Sequence, residues 1–424
     1  MIAEIIAAGS EMLTPYRQDT NSLYLTEGLN ELGVTVAFKT IVGDNLGHLT
    51  GAVSVALGRA DIVILSGGLG PTEDDLTREA VASALGLELR PDPTILAAMY
   101  KRFAARQMVM PPNNAKQAQV LTGAVVLENK NGSAPGQYID TTVYVDSKPG
   151  EGLRRIVILL PGPPKELKPL FDEVAKPMLA AGLPERHLAR RVLRMALIPE
   201  SQVDARTAPI YSQYADVETT ILAHSGEIQL HFLAVKSTLA EAQACVDELT
   251  GKVEAEMEDA VYSSHGESLE EVVLLNLGMR HLTLAAAESC TGGLLAQRLT
   301  AVPGSSRYFL GGAVVYSDAL KTTFAGVPPE LVAEHGPVSE PVARALAEGI
   351  RERTGASLGV GITGIAGPTP GTGPDAEKPI GLVYIALAGV AGTQVKEMVI
   401  PGDRERIRFW ASQHALEMVR RSLL

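Results

Sequence analysis

The sequence predicts an α/β protein built on parallel sheets, with a small α+β module in the middle. Three observations carry this reading. Strand-like and helix-like segments alternate through the first and last thirds of the chain. Several strand segments, DIVIL and RIVILL among them, are unbroken apolar runs, as expected where both faces of a sheet are covered. Helical segments stop repeatedly at glycine.

Taken in order, IAEIIAAG is a short strand. NSLYLTEGLNELG has helical spacing through Leu23, Leu25, Leu29 and Leu32 and stops at Gly33. VTVAFKTIVG is a strand, LGHLTGAVSVALGRA a helix, DIVILSGG a buried strand and DDLTREAVASALG an amphipathic helix. RIVILLPGPPKEL adds a buried strand and a proline-punctuated loop, with a helix from Glu166. The middle reads differently. HLARRVLRMALI is a strand, PESQVDARTAPIYSQY a helix, VETTILAHSGEIQLHFLAVKS a hairpin about Ser225-Gly226, and TLAEAQACVDELTGKVEAEME a long helix. Residues 262–266 read as a linker. Beyond it, alternation resumes and a helix closes the chain. The expected domains are 1–170, 171–262 and 263–424.

The chain has 424 residues, too many for one ordinary core. A net charge of −12 disfavours nucleic acid or an anionic membrane as the main partner. Two cysteines, Cys245 and Cys290, make neither a disulfide framework nor a CxxC metal site, as in a reducing cytoplasm. MIAEIIAAGSEML lacks the basic start of a signal peptide. The longest uncharged apolar run, Pro379 to Val395, is glycine-interrupted and shorter than the ~18–20 residues of a membrane span. It reads as a buried strand and its turn. The expected setting is cytoplasmic.

AAAESCTGG places Ser289 where a strand ends and a helix begins. Helix-start N–H groups at Cys290, Thr291, Gly292 and Gly293 are candidates to hold an oxyanion, those near Thr291 to Gly293 above all. The plain alternative is a helix cap. Cys290 is a rival nucleophile without a neighbouring histidine in sequence. GGAVVYSDALK sets Tyr316 and Lys321 just past another strand end, and a buried lysine is a candidate general base. GITGIAGP adds Thr363 and Gly364 at a third. Glycine-rich strand ends in one α/β domain tend to meet at one crevice.

From about Ser268 to Leu424 these motifs, with PGDRERIR, resemble the carboxy-terminal domain of the CinA family, the nicotinamide mononucleotide (NMN) deamidases. The resemblance implies Ser289 as nucleophile, with Tyr316 and Lys321 as its activators and no cofactor. It implies hydrolysis of the nicotinamide carboxamide to nicotinic acid mononucleotide and ammonia. Arg404 and Arg408 are candidates for the phosphate. One departure is Asp318, where the family pattern carries asparagine.

SGGLGPTEDDLT follows a strand and enters a helix. Gly67, Gly68 and Gly70 suit a backbone cradle for phosphate, and Glu73, Asp74 and Asp75 follow at once. Phosphate and carboxylates repel, so a divalent cation between them makes chemical sense, with Asp44 joining. The alternative is that the carboxylates only favour a helix start. The stretch resembles the molybdopterin-binding fold. With NGSAPG and LPGPPKE it is similar to the amino-terminal domain of CinA proteins over about residues 1–170. That domain is associated with metal-dependent ADP-ribose pyrophosphatase activity. The resemblance implies Asp44, Asp74 and Asp75 as catalytic metal ligands or water activators, for Mg, Co, Ni or Mn. It implies Gly67, Gly68 and Thr72 on phosphate oxygens, with Asn21 and Lys165 reaching substrate. The middle module is similar to a KH-type fold without a convincing GxxG loop, so RNA binding is not expected.

The expected protein is therefore a bifunctional hydrolase of NMN and ADP-ribose, a homodimer by family analogy, without nucleic-acid or membrane partners. Molybdopterin binding and a competence- or damage-associated interaction role are the alternatives.

Overall fold

The computed structural model describes residues 1–144, 152–183 and 186–424. They fall into two compact units, Met1–Leu188 with Val235–Ala242, and Ala189–Ala234 with Gln243–Leu424.

The first unit is built on a six-stranded sheet in the order Thr35–Val42, Ile2–Ala8, Ile62–Ser66, Gly152–Leu160, Gly136–Tyr144, Val125–Leu127. The first four strands are parallel and the last two antiparallel. The sheet is thus mixed, where the sequence predicts a parallel one. Alternate residues go to opposite faces. Val63, Leu65, Val157 and Leu159 pack with the helices Leu46–Arg59 and Thr77–Leu85. Ile62, Ile64, Ile156 and Ile158 pack with Leu25, Leu29 and Phe171. Register aligns the carboxyl ends: Ala8 faces Val42, Ala7 faces Ser66, and Ser66 faces Leu160. Gly9, Gly43, Gly67 and Pro161 therefore leave the sheet side by side.

Two sequence expectations change here. The boundary at residue 170 cuts a continuous helical run from Pro164 to Gly182, whose Phe171, Ala175 and Leu179 are buried in the first unit's core. Leu23, expected on an apolar helix face, is exposed.

The middle sheet has the order Val217–His224, Glu227–Lys236, His187–Ala196, Val261–Ser263. The hairpin turns at Ser225-Gly226, with His224 facing Glu227. The expected linker at 262–266 is partly strand. Val261 pairs with Met195, and Tyr262 and Ser263 are buried.

The rear sheet runs Phe309–Val314, Leu284–Glu288, Leu358–Gly364, Leu382–Gly389, Gly392–Val399. The first three strands are parallel and the others antiparallel. Helix Glu340–Thr354 covers one face, with Val342 and Leu346 over Ala285 and Ala287. Helices Leu269–Met279 and Arg404–Ser422 cover the other. Pro379 to Val395 is more than a strand and its turn. It is most of a hairpin whose second arm, Gly392–Val399, alternates between partly and fully exposed positions. Glu288 pairs with both Val314 and Ile362, so Ser289, Val315 and Thr363 emerge together. No helix among the described residues is long and apolar enough to cross a membrane.

Candidate active sites

The rear site is a pocket of about 430 Å³ lined by Ser289, Tyr316, Lys321, Thr363, Asp375 and Arg404, among others. Ser289 is 7% exposed and Lys321 2% exposed. Ser289 N–H donates to Ile362 O at 2.9 Å, fixing the serine to the neighbouring strand end. Lys321 Nζ donates to Asp318 Oδ1 at 3.0 Å. No hydrogen bond joins Lys321 to Ser289 among the described residues, so the amine is held at the pocket by the carboxylate.

Glu288 reshapes the expected oxyanion cradle. Its buried carboxylate accepts N–H bonds from Gly293 at 3.0 Å, Leu295 at 3.1 Å and Ala296 at 2.8 Å. A carboxylate on helix-start donors is favourable electrostatically. It also uses up the Gly293 donor, and Gly292 N–H is spent on Ser289 O at 3.1 Å. The N–H groups of Cys290 and Thr291 make no hydrogen bond to a backbone carbonyl among the described residues, and both act on the Cys290 sulfur beside them. Of the four candidate N–H groups, those of Gly292 and Gly293 are thus already used.

Tyr316 is 57% exposed, and its Oη accepts from Arg404 Nη2 at 2.7 Å. It has no hydrogen bond to Lys321 or Ser289 among the described residues, so a relay through Tyr316 is not built in. Arg404 also donates to Gly367 O at 2.8 Å. Arg408 does not line the pocket. Its Nε and Nη2 grip Thr291 O at 3.2 and 2.8 Å, fixing the turn after Ser289. Thr363 Oγ1 donates to Pro337 O at 2.7 Å, and Gly364 lines the pocket wall. Burial pushes the Cys290 thiol up to about 12. At pH 7 its thiolate is then about one part in 10⁵, too little for the rival nucleophile.

The loop GPTPGTGPDAEKP, bland in sequence, forms a wall of this pocket. Asp375 is buried, accepts Val338 N–H at 3.1 Å and pairs with Lys378 at 2.7 Å. Lys378 also donates to Val338 O at 2.7 Å. The sequence signal was a carboxylate and an amine three residues apart in a proline-glycine loop.

The front site is a cleft of about 540 Å³ at the aligned strand ends. Glu11, Asp44, Asp74, Asp75 and Glu166 line it against one cation, Arg17, among the described residues. Asp44 Oδ2 accepts Ser10 N–H at 2.7 Å. Asp74 is exposed, and the adjacent Thr72 hydroxyl (whose own hydrogen bond goes to Asp75), its backbone N–H and Lys116 bias its carboxyl below the usual range. Asp75 is committed elsewhere: Oδ1 accepts Gly70 N–H at 2.8 Å and Oδ2 accepts Thr72 N–H at 2.9 Å and the Thr72 hydroxyl. That geometry makes Asp75 a loop tie and removes Thr72 as a free phosphate donor. Gly67 N–H is likewise spent, on Leu160 O at 3.0 Å, whereas Gly68 N–H has no acceptor among the described residues. Asn21 is buried, donates to Ser66 Oγ at 3.1 Å and Gly162 O at 2.7 Å, and leaves Oδ1 unpartnered. Lys165 is exposed and does not line the cleft. Among the described residues no group of three or more His, Cys, Asp or Glu is already gathered for a metal ion.

Family comparison agrees with this layout. A probable molybdopterin binding domain matches residues 4–181, the damage-inducible protein CinA KH domain 190–263, and the CinA C-terminal domain 266–423. A CinA-like protein from Acidobacterium capsulatum is 59% identical over 424 residues, covering 100% of both chains. The chain belongs to the CinA family. A second CinA-like protein, from Koribacter versatilis, is 56% identical over the same length and coverage. A solved CinA structure from Thermoplasma acidophilum is 33% identical, covering 42% of this chain and 99% of that one, with a TM-score of 0.36. In this CinA chain both candidate sites lie at the carboxyl ends of parallel strands, the usual place for ligands in open α/β sheets.

Proposed function

We propose that the rear site hydrolyses the carboxamide of NMN and that the front site hydrolyses the pyrophosphate of ADP-ribose. One observation carries the first part: a serine hydroxyl and a lysine amine, both buried, line one pocket. Ser289 Oγ attacks the carboxamide carbon. Its proton passes to Lys321 in the neutral amine form, once the ammonium has given up a proton and the amine has swung from Asp318. The oxyanion is held by the N–H groups of Cys290 and Thr291. Lys321 then protonates the departing nitrogen, releasing ammonia and leaving an ester on Ser289. Water cleaves the ester, giving nicotinic acid mononucleotide and restoring the serine proton. Arg404, steadied by Tyr316 and Gly367, suits the nucleotide phosphate.

The front reading rests on the cleft's charge. A pyrophosphate entering among five carboxylates needs a cation. Asp44 and Asp74 fit a hard divalent ion bound by one or two carboxylates, with substrate and water oxygens completing its shell. Such an ion, when bound, neutralises phosphate charge and activates water. Asp75 ties the loop, and Gly68 offers an N–H to a phosphate oxygen.

The test is incubation of purified protein with NMN, and separately with ADP-ribose plus Mg, Mn, Co or Ni, with identification of products. Ammonia with nicotinic acid mononucleotide, and AMP with ribose 5-phosphate, are expected. Intact substrates would refute the corresponding half.

A further inference from the structure

The front loop turns its back on the helix that follows it. Thr77 and Arg78, the first two residues of helix Thr77–Leu85, are fully buried. Thr77 Oγ1 donates to Gly67 O at 2.8 Å, and Thr77 N–H donates to Gly68 O at 3.2 Å. Arg78 Nη1 donates to Leu69 O and Nη2 to Gly70 O, both at 3.0 Å. Four successive carbonyls are thus drawn toward the helix start. In a trans peptide the N–H points opposite to its carbonyl. The Gly67 carbonyl shares its peptide plane with Gly68 N–H, and the Gly68 carbonyl shares its plane with Leu69 N–H. Drawing those two carbonyls inward aims both N–H groups the other way. Neither has an acceptor among the described residues, and both residues line the cleft.

The backbone permits this only with glycine. Gly67 and Gly68 have φ of +100° and +66°, and a Cβ on Gly68 would lie 2.2 Å from Thr77 Oγ1. Paired N–H groups in such a turn form a concave anion site. Arg78 adds a charge behind it. Its guanidinium is wholly buried, and its Nε has no partner. No carboxylate forms an ion pair with it among the described residues. The Leu69 and Gly70 carbonyls and the nearby Glu79 and Asp75 carboxylates compensate this buried cation only in part, its burial still weighing against the charge, and an anion in front of it adds to that compensation.

We infer that Thr77 and Arg78 are positioning residues that build a two-donor anion cradle from Gly68 N–H and Leu69 N–H for a phosphate group. The inference rests on the proposed front-site function for its choice of ligand. Thr77 touches no substrate and acts through the loop.

The experiment uses the full chain. Amide resonances are followed by NMR while inorganic pyrophosphate is added with magnesium. Gly68 and Leu69 resonances move in a saturable way, while Gly67 and Gly70, bonded to Leu160 O and Asp75, move less. Kinetics of ADP-ribose hydrolysis are then compared across Thr77 variants. Thr77→Val raises KM about tenfold with kcat less affected, and Thr77→Ser restores it. Absent pyrophosphate binding, or saturation without movement at Gly68 and Leu69, overturns the inference. So does an unchanged KM in folded Thr77→Val. If Thr77→Val does not fold, the NMR result alone decides. Pyrophosphate binding at these two amides without any ADP-ribose turnover refutes the proposed activity but leaves the cradle intact.

Discussion

Lys321 Nζ sits 3.0 Å from Asp318 Oδ1, three residues back on the same helix, and not on Ser289. The carboxylate is 57% exposed, whereas the amine is buried, so the pair straddles the pocket wall. Asp318 therefore holds the one lysine amine that lines this pocket among the described residues, and on the proposed mechanism competes with Ser289 for it.

Replacing that competitor frees the amine. Asp318→Asn is expected to raise the rate of ammonia release from NMN severalfold, with little change in melting temperature. Steady-state ammonia assays check it. A lower rate would mean that Asp318 positions Lys321 productively.

Cys290 and Lys321, which line the same pocket, separate cleanly. Cys290→Ser is expected to retain deamidation, because a thiol pushed up to about 12 by burial supplies no nucleophile at neutral pH. Lys321→Met is expected to lower kcat by about 10³ or more while the circular dichroism spectrum is kept.

Glu288 ties the nucleophile turn to the following helix through three N–H bonds. Glu288→Gln keeps the shape and loses the charge. It is expected to destabilise the fold by about 2 kcal/mol and to lower kcat. Urea unfolding and NMN kinetics on the same samples measure both.

At the front, the acidic residues are predicted to divide. Asp44→Asn and Asp74→Asn should abolish metal-dependent ADP-ribose hydrolysis with little loss of stability. Asp75→Asn should lower the melting temperature as well, since Gly70 and Thr72 N–H use different carboxylate oxygens and the amide keeps only one of them. Equal melting temperatures for all three variants would contradict that division.

Acid stability turns on two histidines. Burial, with Lys396 nearby, holds His414 down to about 4, against a slight opposing pull from Glu417. Burial, then Arg190, Arg194 and His224, hold His231 down to about 4 as well. Unfolded, both have values near 6.5. Between pH 6.5 and 4 the unfolded chain binds more protons, so stability falls as pH drops through that window and is unaffected by these groups above it. His414→Gln is expected to flatten the slope of unfolding free energy against pH there. An unchanged slope would show that His414 is protonated when folded.

The strand ends were legible because parallel strands are buried on both faces and because glycine marks their exits. DIVIL, RIVILL and LAAAE all fell where the composition placed them. Residues 89–127 went unread, although they hold the helix Pro93–Ala105, whose only fully buried position is Met99. With so little of it buried, its periodicity is weak. The second arm Gly392–Val399 was missed for a related reason: it is an edge strand with charged residues and little burial. Within the sites, sequence spacing brought Ser289, Lys321 and Thr363 to one pocket. It could not say which N–H groups were spent, because the acceptors are a side chain at Glu288, a strand carbonyl at Leu160 and the carboxylate of Asp75. Lys165 and Arg408 illustrate the same gap. Each lies in a motif near its site, but helix phase turns one outward and commits the other to Thr291 O.

The most direct measurement is the intact mass of the protein quenched during NMN turnover, followed by peptide mapping. An adduct of the nicotinoyl mononucleotide mass on the peptide holding position 289, absent from Ser289→Ala along with ammonia release, is the predicted result. Undiminished ammonia release by folded Ser289→Ala would contradict the assignment of the hydroxyl as nucleophile.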